Sequence, residues 1–105
     1  MNQRKAQLLS FLSDSPDDAF LNYALAQEFI SEGNDTEAEK VFSKLLQLHP
    51  GYTATYYHFA KLLERKGMKE EAMNMYRSGI EKAREMKEQH TLAELQSALL
   101  ELEYE

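Results

Sequence analysis

The 105 residues carry twelve Lys and Arg against eighteen Asp and Glu, a net charge of −6, and no Cys; this is the size of one domain, residues 1–105, and it excludes a disulfide framework, a thiolate metal site and a cysteine nucleophile. The negative balance repels phosphate backbones and anionic lipid, so no nucleic acid and no membrane is expected as a partner. A hydrophobic share of 43% with 29% charged residues is that of a folded chain, and with neither export signal nor apolar span in view the expected location is cytoplasmic.

Two prolines and four glycines punctuate a chain otherwise rich in helix formers, so helices are expected nearly throughout. The first runs from about Asn2 to Ser13, with Leu8, Leu9 and Leu12 on one face and Phe11 widening it. Ser15-Pro16-Asp17-Asp18 reads as the next start, Ser15 as N-cap and Pro16 at the first helical position. The helix that follows, Asp17 to Glu32, carries Phe20, Leu21, Tyr23, Ala24, Leu25, Phe29 and Ile30 and is closed by Gly33. Asn34-Asp35 caps a third helix to about His49, where a ring beside the negative dipole end precedes Pro50-Gly51. From Thr53 a fourth carries Tyr56, Tyr57, Phe59, Ala60, Leu62 and Leu63 and is closed by Gly67. The fifth, Lys69 to about Glu88, carries Ala72, Met73, Met75, Tyr76, Ile80 and Ala83, and its interior Gly79 signals close packing. Thr91 with Glu94 makes a capping box for the last helix. There Leu92, Leu95, Leu99 and Leu102 form a stripe, and Glu94, Glu101, Glu103 and Glu105 face water.

Shifting the sequence by 34 superposes Pro16 on Pro50, Gly33 on Gly67, Ala26 on Ala60, Ala38 on Ala72 and Phe42 on Tyr76, together with Tyr23 on Tyr57, Leu25 on Phe59, Phe29 on Leu63 and Glu37 on Glu71. Leu8 also stands 34 before Phe42, so the first helix has the character of the second half of a repeat. These positions resemble the tetratricopeptide repeat, a helix-turn-helix unit of about 34 residues. The first unit, 19–52, matches at Leu25-Ala26, Phe29, Gly33, Ala38, Phe42 and Pro50, with Asn22 where Trp is common. The second, 53–86, matches at Tyr56, Phe59-Ala60, Leu63, Gly67, Ala72 and Tyr76, with Gly79 where Ala is usual and Arg84 in place of the closing Pro, which lets that helix run on by another turn. The resemblance implies an all-α fold of about six helices, antiparallel pairs stacked as a short right-handed superhelix. Residues 1–14 and 91–105 are expected to cap it.

His49, His58 and His90 sit in separate segments without ligand spacing, and the acid pairs lie on polar helix faces, so no metal, no cofactor and no enzyme is expected. What the resemblance implies instead is a protein-interaction module. The first helix of each pair would line a concave groove with Phe20, Tyr23, Gln27 and Ile30 in the first unit and Tyr57, His58, Lys61 and Glu64 in the second, holding a peptide or helical segment of a partner protein. The same rings could instead serve packing. The Lys and Asn clamp by which chaperone-binding members hold a peptide carboxylate is missing, since Tyr23, Gln27 and His58 stand at those places. An acidic chaperone tail is therefore not the expected ligand. A homodimer through the groove or through the last helix, with Leu99, Leu100, Leu102 and Tyr104, is the alternative.

Overall fold

The computed structural model describes residues 3–105, which form six α-helices and no strand: α1 Gln3–Asp14, α2 Ala19–Ser31, α3 Asp35–Leu48, α4 Ala54–Arg65, α5 Lys69–Glu85 and α6 Gln89–Glu103. Asn2, where the first helix was expected to begin, lies outside the described residues. The chain divides into two compact units, Met1–His49 with α1 to α3 and Pro50–Glu105 with α4 to α6.

In the first unit, α2 packs on both α1 and α3. Ala26 and Ala38 have no exposed surface, so the α2 and α3 backbones approach closely where small side chains permit it. Leu8, Leu12, Leu25, Phe42 and Leu45 fill the remaining space, each contributing about 1.5–3 kcal/mol by burial. Of the expected apolar face of α1, Leu8 and Leu12 are buried while Leu9 and Phe11 are exposed; two neighbouring helix turns supply the seam, and the residues beside them point away from it.

The start of α2 differs from the expectation. Asp18, not Ser15, is the N-cap, its carboxylate accepting the Leu21 N–H at 2.8 Å, because a carboxylate there satisfies a free amide and meets the positive dipole end together. Pro16 sits in the preceding turn, where its carbonyl accepts from Asn22 Nδ2 at 2.9 Å and from Lys44 Nζ at 2.8 Å. Asn22, buried at the position where the family has Trp, also donates to the Asp18 carbonyl at 2.7 Å. It therefore ties down a turn with hydrogen bonds where a large ring would do so by packing. His49 caps α3, its Nε2 2.6 Å from the Asp17 carbonyl, so its ring holds the same turn in addition to standing at the dipole end.

In the second unit, α5 packs on α4 on one side and on α6 on the other. Ala60 and Ala72 are again without exposed surface, and Tyr56, Phe59, Leu62, Leu63, Tyr76, Ile80, Leu95 and Leu102 fill the core. Gly79 lies where a Cβ would come within 2.5 Å of Tyr56 Cβ and 3.1 Å of Leu95 Cδ1, the close approach its place in the helix signals. With Arg84 standing where the repeat has Pro, α5 runs to 17 residues against 14 for α3.

Three helices end in the same way. Gly33 and Gly67 adopt φ +76° and +77°, and the amides at and after them return to the last turn: Gly33 to Ile30 and Asn34 to Phe29, then Gly67 to Glu64 and Met68 to Leu63. These are Schellman closures that a left-handed residue makes possible. The third uses a residue with a side chain: Lys87 has φ 58°, and Glu88 N donates to the Ala83 carbonyl at 2.9 Å. The closure turns the chain early, so α6 begins at Gln89 with Glu88 at the cap position and no side-chain cap. The expected Thr91–Glu94 capping box does not form, since Thr91 already lies within the first turn. Glu88 is drawn elsewhere, its carboxylate accepting the Thr53 hydroxyl.

Candidate partner-binding site

On α2, Phe20, Tyr23, Gln27 and Ile30 recur at intervals of three and four, which places them along one stripe of the helix. Phe20 is 62% exposed, Tyr23, Gln27 and Ile30 are half-buried, and Gln27 Nε2 donates to Tyr23 Oη at 3.4 Å. None of these four is among the buried residues of α2, which are Asn22, Leu25, Ala26 and Glu28.

On α4 the same division holds. Tyr56, Phe59, Ala60 and Leu63 are buried, while Tyr57, His58, Lys61 and Glu64 are half-buried on the other side. Tyr57 and Lys61 form one wall of a cleft of about 380 Å³ whose other wall is α6, through His90, Ala93, Glu94, Ser97, Ala98 and Glu101. A second hollow of about 240 Å³ is lined by Thr53, Ala54, His58, Thr91 and Leu95, and shares Tyr57 and Glu94 with the first. The Tyr57 ring meets His58 edge-on at 5.3 Å and Tyr76 at 6.2 Å between centroids. Lys61 Nζ lies 5.5 Å from the Tyr57 centroid and 3.6 Å from Glu64 Oε2.

Glu64 lines neither hollow. Its carboxylate accepts the hydroxyl of buried Tyr76 and pairs with Lys61, so it positions its neighbours. Burial, that hydrogen bond, and the charges of Glu64 and Glu101 together raise the Tyr76 pKa above the ordinary tyrosine value. Burial lowers the His58 pKa, with Glu94 opposing, which favours the neutral imidazole. His90 belongs to α6, its Nε2 3.6 Å from Glu94 Oε2.

The sequence reading missed the α6 wall. Treated as a cap with one leucine stripe, α6 also carries a second stripe, His90, Ala93, Glu94, Ser97 and Glu101, at the same helical spacing, and its small residues Ala93 and Ser97 four apart leave room beside Tyr57. Among the described residues no group of three His, Asp or Glu could hold a metal ion, and no helix is long and apolar enough to cross a membrane.

Residues 29–99 match the family model of the tetratricopeptide repeat. No curated protein matches the chain. Among solved structures, the solution structure of a tetratricopeptide repeat domain protein from Salinibacter ruber is 44% identical and covers 84% of this chain and 89% of its own, with a TM-score of 0.81. A protein from Bordetella parapertussis, at 22% identity, covers 99% of this chain and 90% of its own with a TM-score of 0.85. The type III secretion translocator chaperone SycD of Yersinia enterocolitica, at 16%, covers 95% and 70% with a TM-score of 0.84. The last two are likenesses of fold.

Proposed function

This chain belongs to the tetratricopeptide repeat family, and from that membership we propose that it holds a peptide or helical segment of a partner protein on the first-helix faces of its repeats. The family is one of non-catalytic protein-interaction scaffolds. In the first unit the contact residues are Phe20, Tyr23, Gln27 and Ile30. In the second they are Tyr57, His58 and Lys61, with Glu64 acting through Lys61. Rings supply large contact area at small entropic cost, which suits them to anchor a segment.

The observation that carries this reading is the division of α4: Tyr56, Phe59, Ala60, Leu62 and Leu63 are spent on the core, while Tyr57 walls a cleft with α6. The test is capture of partners from native cell extract by the wild type and by a Phe20→Ala/Tyr57→Ala variant, followed by binding of the purified partner to both. Loss of binding with a melting temperature within a few degrees of wild type supports the reading. Unchanged binding, or a large thermal loss that marks the rings as core, refutes it.

A second reading, self-association through α6, is favoured by Leu100 at 54% and Tyr104 at 84% exposure. Light scattering of the wild type beside Leu100→Asp decides it: a dimer that the variant abolishes supports it, and a wild-type monomer at micromolar concentration removes it.

A further inference from the structure

We propose that the cleft between α4 and α6 takes a cationic partner segment, a helix presenting Lys or Arg seven residues apart with an apolar residue between them. This rests on the groove reading above and specifies the charge and spacing of its ligand.

The charges on the cleft walls do not balance. Lys61 is the one Lys or Arg among the lining residues, and Glu94 and Glu101 face it from α6. The Lys61 ammonium is already matched by Glu64 at 3.6 Å, outside the cleft lining. Two carboxylates on the α6 wall are therefore left with a histidine as their basic company, His90, 89% exposed in its side chain. Burial chiefly raises the Tyr76 pKa, and the charges of Glu64 and Glu101 add to it.

The geometry also accommodates a cation. Lys61 lies over the Tyr57 ring, so this wall already carries an ammonium against an aromatic face. Glu94 and Glu101 are seven residues apart, two helical turns or about 10.5 Å of rise. A partner helix lying along α6 repeats that distance when its own cations are seven apart. Ser97 and Ala98, which line the cleft between the two carboxylates, have short side chains, so an apolar residue between the cations can approach Tyr57 there.

The test uses peptides of about 18 residues, long enough to hold helical structure, labelled for anisotropy. One carries two Lys seven apart around a Leu; a second carries Glu at those two places; a third has the Lys five apart, which puts them on different faces. Binding is measured with the full chain at low and at physiological salt, and 15N-labelled protein locates the contact. The expected result is that the first peptide binds best, weakens as salt rises, and shifts the amides of Tyr57, Glu94, Ser97 and Glu101. Glu94→Gln/Glu101→Gln should weaken it about tenfold, two exposed charge contacts' worth, with an unchanged melting temperature. Glu94→Lys/Glu101→Lys should transfer preference to the Glu peptide. Equal binding of all three peptides in a Tyr57-dependent manner overturns the charge assignment and leaves the groove reading standing. Binding that shifts amides only outside the cleft, or no binding by any peptide at millimolar concentration, overturns both.

Discussion

Replacing Gly79 with Ala sets a local helix preference against a packing constraint that the structure locates at Tyr56 and Leu95. In an exposed helix interior the change stabilises by about 1 kcal/mol, since Ala loses less backbone entropy than Gly. At position 79 the added Cβ would stand 2.5 Å from Tyr56 Cβ, 3.0 Å from Tyr56 Cγ and 3.1 Å from Leu95 Cδ1, against a comfortable carbon–carbon separation of about 3.5 Å. Tyr56 cannot swing aside to relieve this. Its Cβ is fixed to the α4 backbone, and its hydroxyl is held by the Pro50 carbonyl at 2.7 Å, so α4 itself must move away from α5. Overpacking of this kind costs about 1–3 kcal/mol and more where backbone must shift. With rigid atoms about 1 Å too close, the upper end applies, and the helix gain leaves a net loss of about 2 kcal/mol. At about 4–8 °C per kcal/mol for a domain near this size, the melting temperature followed by far-UV circular dichroism falls by roughly 8–16 °C. Ser78→Ala, on the exposed neighbour, serves as control and leaves it unchanged or slightly raised. A Gly79→Ala protein as stable as wild type, or more so, refutes the close crossing of α4 and α5.

Lys87→Gly relieves a left-handed residue that carries a side chain and raises stability by about 0.5–1 kcal/mol, read as a higher denaturant midpoint at unchanged slope; a fall would mean that the third closure does not form. Thr55→Val removes a fully buried hydroxyl that has no hydrogen-bond partner among the described residues, and a gain of about 1 kcal/mol is expected in the same titration. The buried hydroxyls of Tyr76 and Tyr56 both have folded-state pKa values raised above the ordinary 10.0, chiefly by burial. A raised pKa means that the unfolded chain loses its proton first. The stabilisation is therefore complete below pH 10 and is lost as pH rises beyond it, by up to about 1.4 kcal/mol per pH unit for each proton. Unfolding free energy measured between pH 9 and 11 should fall in the wild type and fall less steeply in Tyr76→Phe; parallel curves would contradict the placement of that hydroxyl.

The six helices and their pairing were legible because the residues that set them act at fixed spacing. Gly33 and Gly67 announce left-handed closures that only Gly adopts without strain, and the alanines 26, 38, 60 and 72 mark where backbones cross; all four are fully buried. The junction between α5 and α6 was not legible for the converse reason. Its closure falls on Lys87, a residue type with no preference for positive φ, so nothing in the letters ends the helix there, and Thr91–Glu94 offered a plausible cap too far along. The start of α2 was misplaced because Ser15, Asp17 and Asp18 are all competent caps, and the choice of Asp18 depends on the Pro16 carbonyl being engaged by Asn22 and Lys44, one of them from another helix. The α4 side of the cleft followed from the repeat register. The α6 side did not, because a stripe of His, Ala, Glu and Ser has the composition of a solvated face, and only its position beside Tyr57 gives it a second meaning.

Chemical-shift mapping of 15N-labelled protein on addition of a captured partner tests the central claim most directly. The changes should concentrate on the α2 stripe Phe20, Tyr23, Gln27 and Ile30, on Tyr57 and Lys61 of α4, and on Glu94, Ser97 and Glu101 of α6. A footprint centred instead on Asn74, Arg77, Ser78 and Glu81 of α5, with Tyr57 and Ser97 unmoved, would contradict it.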